Sequence, residues 1–217
     1  GLGPSRILGG ITFSLGLVLV VVGGAELFTG NLLLVMGWAD RKIATVALLR
    51  NWGVAYVGNL AGAVAMAVLA YWSGYMDLGS GAVGATAIKI AAAKVELDFT
   101  TAFVRGLLCN TLVCLAVWLC FAAHDVIGKI FAILFPITAF VALGFEHSIA
   151  NMFFIPAGML AAGNDVYVVA AGLPGGVGGL TFAGFVGNLV PVTLGNMAGG
   201  GLFVAGTYYL VYLRPHS

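Results

Sequence analysis

Two stretches decide how this chain folds: Gly24-Ala25-Glu26-Leu27-Phe28-Thr29-Gly30-Asn31-Leu32 and Gly144-Phe145-Glu146-His147-Ser148-Ile149-Ala150-Asn151-Met152. Both place a glutamate two residues after a glycine and an asparagine five residues after the glutamate, inside a long apolar run. A charged side chain there costs roughly 3 kcal/mol or more in a bilayer. A glycine followed by polar groups in mid-run predicts a helix that stops and restarts. Such a break is tolerated only where protein or a cavity satisfies the freed backbone groups. A second pair of stretches follows in the same order, Gly58-Asn59-Leu60-Ala61-Gly62 and Gly195-Asn196-Met197-Ala198-Gly199. Two matches in the same order point to an internal duplication.

Working outward, residues 7–25, 51–76, 106–124 and 166–213 contain no Asp, Glu, Lys or Arg. About 20 apolar residues cross a bilayer as a helix, so these gaps predict membrane spans. The whole chain agrees: 61% of its 217 residues are apolar and 8% charged. There is too little polar surface to coat a water-soluble globule, which excludes a cytosolic enzyme or a nucleic-acid binder. The formal net charge of +1 implies no polyanionic partner, and the lipid bilayer is the expected surrounding. Cys109, Cys114 and Cys120 follow no metal-ligand spacing and read as small core residues. No cofactor and no metal are expected.

Five apolar blocks, about 7–38, 43–74, 99–123, 127–160 and 181–213, are joined by connectors that hold most of the charge. The repeats pair block one with block four and block two with block five, leaving block three unpaired. One transmembrane domain, 1–217, is expected, with repeat one over about 7–75 and repeat two over about 96–214. Units of three spans are inverted relative to one another, so the first unit is expected to lack its first helix. Arg41, Lys42, Arg50, Lys129 and Arg214 fall on one side, read as cytoplasmic. Lys89 and Lys94 fall on the other side, against that rule.

Glu26 and Glu146, with Asn31 and Asn151 beside them, are the candidate helix-break residues. The expectation is that each carboxylate caps a half-helix by accepting backbone N–H groups. His147 has no repeat equivalent, since Leu27 stands in that place, and a cap needs no imidazole beside it. A group that titrates near neutrality can offer a hydrogen bond or proton to a weak acid in mid-membrane. Metal binding has no support, because His124 and His216 lie at segment ends without paired ligand spacing. Phe13, Leu17, Leu27, Phe28 and Phe140 surround the breaks in sequence and are candidates for dry constrictions. Gly58, Gly62, Gly195 and Gly199 are expected at close helix contacts.

The stretch from Phe145 to Met152 resembles the hallmark motif of the formate/nitrite transporter family. Gly24 to Thr29 resembles that family's first helix-break loop. Asn188 to Asn196 resembles its last-helix motif, and Arg105 to Asn110 with Leu112 to Trp118 its fourth helix. The resemblance runs from about residue 9 to 213. It implies an all-α, aquaporin-like inverted-repeat bundle with two broken helices, whose first transmembrane helix precedes the segment that starts this chain. It further implies a homopentamer in the bacterial inner membrane, each protomer with its own pore for a small monocarboxylate or inorganic anion. The central histidine corresponds to His147, the gating-loop threonine to Thr29, the polar partners to Asn110 and Glu146, and the lysine between helices to Lys94. The constrictions correspond to Phe13, Leu17, Leu27, Phe28 and Phe140.

Formate is the expected anion, drawn in by Lys94 and meeting His147 and Thr29 at the midplane. Arg105 is leucine-like in some formate channels of the family, so nitrite and hydrosulfide stay open. A water or glycerol channel would carry Asn-Pro-Ala at both breaks, and neither break has it. A membrane enzyme would carry paired histidines or clustered carboxylates, which the chain lacks.

Overall fold

Gly24 and Gly144 hold left-handed backbone, with φ of +76° and +71°, a conformation that costs glycine little and other residues more. Each ends a helix in the same way. The N–H groups of Gly24 and Ala25 both donate to Val20 O at 3.0 Å, and Phe145 N–H donates back to Phe140 O at 3.0 Å. The computed structural model describes residues 1–214, so His216 lies outside the described residues.

All regular structure among them is helical. Helix α1 spans Leu2–Gly23; after the first break a 3-10 turn, Gly30–Leu33, leads into α2, Leu34–Ala39. Helix α3 spans Thr45–Trp72, α4 Ala82–Val95, α5 Phe99–Ala122 and α6 Val126–Ala142. After the second break come α7, Ser148–Ala161, and α8, Asp165–Ala171, bent 111° from α7. Helix α9, Phe182–Met197, continues in wide helical turns to Leu213, making one apolar span of 32 residues. Among the described residues four helices are long and apolar enough to cross a membrane, and the bent pair α7 and α8 would make a fifth if it counts as one span. Blocks one and four are each split at the expected glycine.

The polar connector residues start the helices. Asp98 accepts the Thr101 N–H at 3.0 Å, Asp125 the Gly128 N–H at 2.7 Å, and Thr181 the Gly184 N–H at 3.1 Å. The hydrogen bonds from Thr101 hold the Asp98 carboxyl below the usual carboxylate range.

One expectation is corrected here. Residues 77–98 form no mere connector, since α4 occupies most of them and packs on α7 and α8. Its run of alanines and a few charges is too polar to read as a span, yet small residues such as Ala85, Ala91 and Ala92 are buried. Beyond it, α5 lies against α9 and α6, α1 against α6, and α3 against α7.

Within the protomer, one of the two expected glycine pairs sits at a close helix contact. A Cβ on Gly195 would lie 2.1 Å from Phe103 O, and one on Gly199 2.1 Å from Leu107 O, so α9 touches the α5 backbone. Around Gly58 and Gly62 a Cβ would meet nothing within 4 Å among the described residues.

Candidate functional site

The two breaks carry the same hydrogen-bond scaffold. At the second, Asn151 Nδ2 donates to Glu146 Oε2 (2.6 Å) and Asn188 Oδ1 (2.8 Å). Asn196 Nδ2 donates to Glu146 O (3.0 Å), and Asn196 Oδ1 accepts the Ser148 N–H (2.9 Å). At the first, Asn31 Nδ2 donates to Glu26 Oε2 and to Asn51 Oδ1 (2.9 Å). Asn59 Nδ2 donates to Glu26 O (3.0 Å), and Asn59 Oδ1 accepts the Phe28 N–H (3.0 Å). Every partner is displaced by the offsets of the two sequence repeats. Asn51, Asn59, Asn188 and Asn196 were not singled out as site residues. The signal was present: Asn51 and Asn188 stand at the offset that pairs Gly58 with Gly195.

Neither carboxylate caps a half-helix, contrary to expectation. Glu146 takes both its oxygens to Lys94 Nζ, at 3.0 Å each, in a largely buried ion pair. The cap of α7 is His147 itself, whose Nδ1 accepts the Ala150 N–H at 3.1 Å. The physical reason is competition: an ammonium and an amide outbid the backbone for Glu146, and the next acceptor in the chain is the imidazole.

That bond assigns the tautomer. With Nδ1 accepting, the ring proton of a neutral imidazole sits on Nε2, and Nε2 lies 2.9 Å from Thr29 Oγ1. Thr29 is therefore the acceptor, brought across from the first break. Its own position is fixed behind the ring, where Thr29 O accepts from Asn110 Nδ2 (3.2 Å) and Cys114 Sγ (3.3 Å). Asn110 Nδ2 also reaches Asn196 O at 2.8 Å, tying the two breaks together.

Three cavities share walls around this junction. The first, of about 380 Å³, is lined by Arg6, Lys94, Arg105, Glu146 and His147 among others. It shares Phe13, Phe140, His147 and Ala150 with a middle cavity of about 250 Å³, which is otherwise apolar. The middle cavity shares Leu17, Val20 and Leu27 with a third, of about 430 Å³, which Lys129 and Asn31 also line. Phe13 and Phe140 meet edge to face, ring centres 5.6 Å apart, and Phe140 lies 6.1 Å from the imidazole at a shallow angle. Lys94 Nζ stands 5.8 Å from the centre of the Phe154 ring.

Among the expected residues, His147, Glu146, Lys94, Phe13, Phe140, Leu17 and Leu27 thus come together along these cavities. Thr29 and Asn110 are fully buried and reach them only through hydrogen bonds. Phe28 turns away and packs on Tyr56, ring centres 5.0 Å apart, and on Trp52. Glu26 is exposed beside Arg50 and Asn59, in a separate surface recess. Lys89 is exposed and lines none of the three cavities. Among the described residues no group of three His, Cys, Asp or Glu side chains could hold a metal ion.

Comparison with known proteins identifies the family. The family described as formate/nitrite transporter matches residues 2–210. The chain is similar to the formate channel FocA of Escherichia coli K12, 42% identical over 99% of this chain and 77% of the relative. In structure it resembles a pentameric formate channel with formate bound, with a TM-score of 0.88 and 38% identity over 99% of this chain and 86% of that one. It also resembles an FNT family ion channel, with a TM-score of 0.81 and 32% identity over 97% of this chain and 78% of that one. On this evidence the chain belongs to the formate/nitrite transporter family, as a multi-pass protein of the inner membrane and not an enzyme.

Proposed function

We propose that this chain conducts a small monovalent anion, formate first, with nitrite and hydrosulfide as the alternatives within the same family. The path runs through the three cavities, past the Phe13–Phe140 pair, along His147, and past Leu17 and Leu27. The single observation that carries this reading is the His147 Nε2–H at the shared wall of the first two cavities, backed by a fixed Nδ1. In the otherwise apolar middle cavity that proton is the donor available to an anion. The donor is occupied by Thr29 Oγ1 at 2.9 Å. An anion that takes the hydrogen bond displaces the hydroxyl, which can then turn its own O–H toward the guest. The exchange keeps the histidine satisfied throughout and limits the cost of leaving a buried donor unmade.

Whether the anion also takes the proton is a second question with a separate readout. The protein is inferred to assemble as a homopentamer, as the similar pentameric formate channel does. Each protomer is a single domain built from two repeats, about 7–75 and 96–214, an arrangement supported by the duplicated asparagine scaffold. Proteoliposome flux of labelled formate, nitrite and hydrosulfide at two pH values tests the assignment. Formate is expected to pass, faster at the lower pH if a proton accompanies it. Absence of formate flux with brisk nitrite or hydrosulfide flux would reassign the substrate, and no flux of any would end the reading.

A further inference from the structure

The cavity beside His147 that holds the arginines has a charge imbalance that the histidine does not explain. Three basic side chains, Arg6, Lys94 and Arg105, line it against one carboxylate, Glu146. Lys94 Nζ lies 3.0 Å from each Glu146 oxygen, so that pair offers little net field to an incoming ion. Among the described residues the ion pairs are Lys42–Asp40 and Lys94–Glu146, and neither arginine has a carboxylate within reach. Both are attached to the second break. Arg6 Nη1 is 3.4 Å from Ala142 O, and its guanidinium lies 3.7 Å from where Gly144 would carry a Cβ. Arg105 O accepts the Glu146 N–H at 3.3 Å. The break therefore touches the Arg6 guanidinium and the Arg105 main chain, and both arginines line the same cavity.

We propose that Arg6 and Arg105 form an anion-capture subsite, selective for a small oxyanion of the carboxylate or nitrite kind, on the arginine side of the Phe13–Phe140 pair. A guanidinium is always charged and presents a planar fork of N–H donors that matches two oxygens, which a spherical or single-atom anion cannot fill. The ammonium of Lys94, engaged by Glu146, serves the break instead and leaves capture to the arginines. This inference rests on the channel reading for its transport arm only.

The test has a second arm that needs no transport. Ile90, at 36% exposure, lines the same cavity, while the native cysteines are buried. In Ile90→Cys protein, an anionic methanethiosulfonate should react faster, relative to a cationic one, than it does once Arg6→Gln and Arg105→Gln are added. The ratio is expected to fall by about tenfold at low salt and less at high salt. In liposomes the Arg6→Gln/Arg105→Gln protein should show formate and nitrite flux reduced several-fold at sub-saturating concentration, with the saturating rate kept. An Arg6→Lys/Arg105→Lys protein should restore the thiol ratio but not the preference for formate over hydrosulfide. An unchanged thiol ratio in the double glutamine variant overturns the subsite. A lysine variant that keeps full oxyanion preference overturns the role of the fork. If the wild-type protein passes no anion at all, the channel reading falls while the thiol ratio still decides the arginines.

Discussion

At the residue scale His147 carries the argument, and its two nitrogens have different tasks. His147→Phe keeps a ring of similar size against Phe140 but removes both the cap of α7 and the donor to Thr29. Loss of an N-cap costs about 1 kcal/mol, so the variant should fold with a modestly lowered melting temperature while formate flux falls at least tenfold. His147→Asn can still cap and donate but has no titratable proton. If the histidine only donates a hydrogen bond, this variant should retain flux with the wild-type pH profile; if a proton transfers, the profile should flatten. Proteoliposome flux across pH, with both variants checked by thermal unfolding, separates the outcomes. His147 was legible in the sequence because an imidazole in an apolar run has few reasons to be there. Its role as the cap was not, since the loss of Glu146 to Lys94 depends on α4, which lies 52 residues earlier in the chain. Arg6 was invisible for the same reason: it sits at the start of α1, and its meeting with Gly144 is a matter of tertiary packing.

At the element scale the breaks were readable and α4 was not. A glycine with a polar successor in mid-run is a local signal, whereas α4 buries alanines against α7 and Gly84 against Tyr167 of α8, without a strong apolar stripe. The contrast between the two glycine pairs gives a direct prediction. In Gly199→Ala the new Cβ would sit 2.1 Å from Leu107 O, a backbone atom that cannot swing aside. Overpacking of this kind costs about 1–3 kcal/mol, and α5 should separate from α9, lowering the melting temperature in detergent. Gly62→Ala meets open space within the protomer and should leave it unchanged. Equal losses in both would mean that the α3 face is packed as tightly as α9. The Asp98 cap follows pH with a definite sign. Its carboxyl is held low in the fold, so its contribution is present above the ordinary carboxylate pKa and fades as pH falls through the lowered one. Asp98→Asn should therefore show a shallower acid-side loss of α5 stability than wild type.

At the scale of the whole molecule, the apolar walls between cavities set what can pass. Leu27→Ala should join the middle cavity to the one lined by Lys129 and raise the leak of larger monocarboxylates several-fold, read as labelled flux at fixed formate permeability. Phe140→Ala should do so on the other side. It also forfeits the edge-to-face contact with Phe13 and about 3–5 kcal/mol of packing, so flux must be normalised to folded protein. If selectivity is unchanged in both, the residues are packing and the walls lie elsewhere. Native mass spectrometry in mild detergent should find five copies, and a stable monomer as the dominant species would count against the homopentamer. Membership of the family was legible from the stretch 145–152. The line of cavities was not, because it is assembled from both breaks at once.

The bond from Ala150 to Nδ1 has a consequence for proton traffic. A histidine passes protons along a chain when one nitrogen receives while the other releases, as a link in a wire. Here one end of the ring is permanently closed by a helix N-terminus. A proton can only enter and leave through the same nitrogen, on the Thr29 side. With that end closed, giving up the Nε2 proton would leave an imidazolate, so the ring holds a guest by a hydrogen bond and cannot hand a proton through to the far side. Vesicles carrying this protein and no permeant weak acid should then hold a pH gradient as long as empty vesicles do.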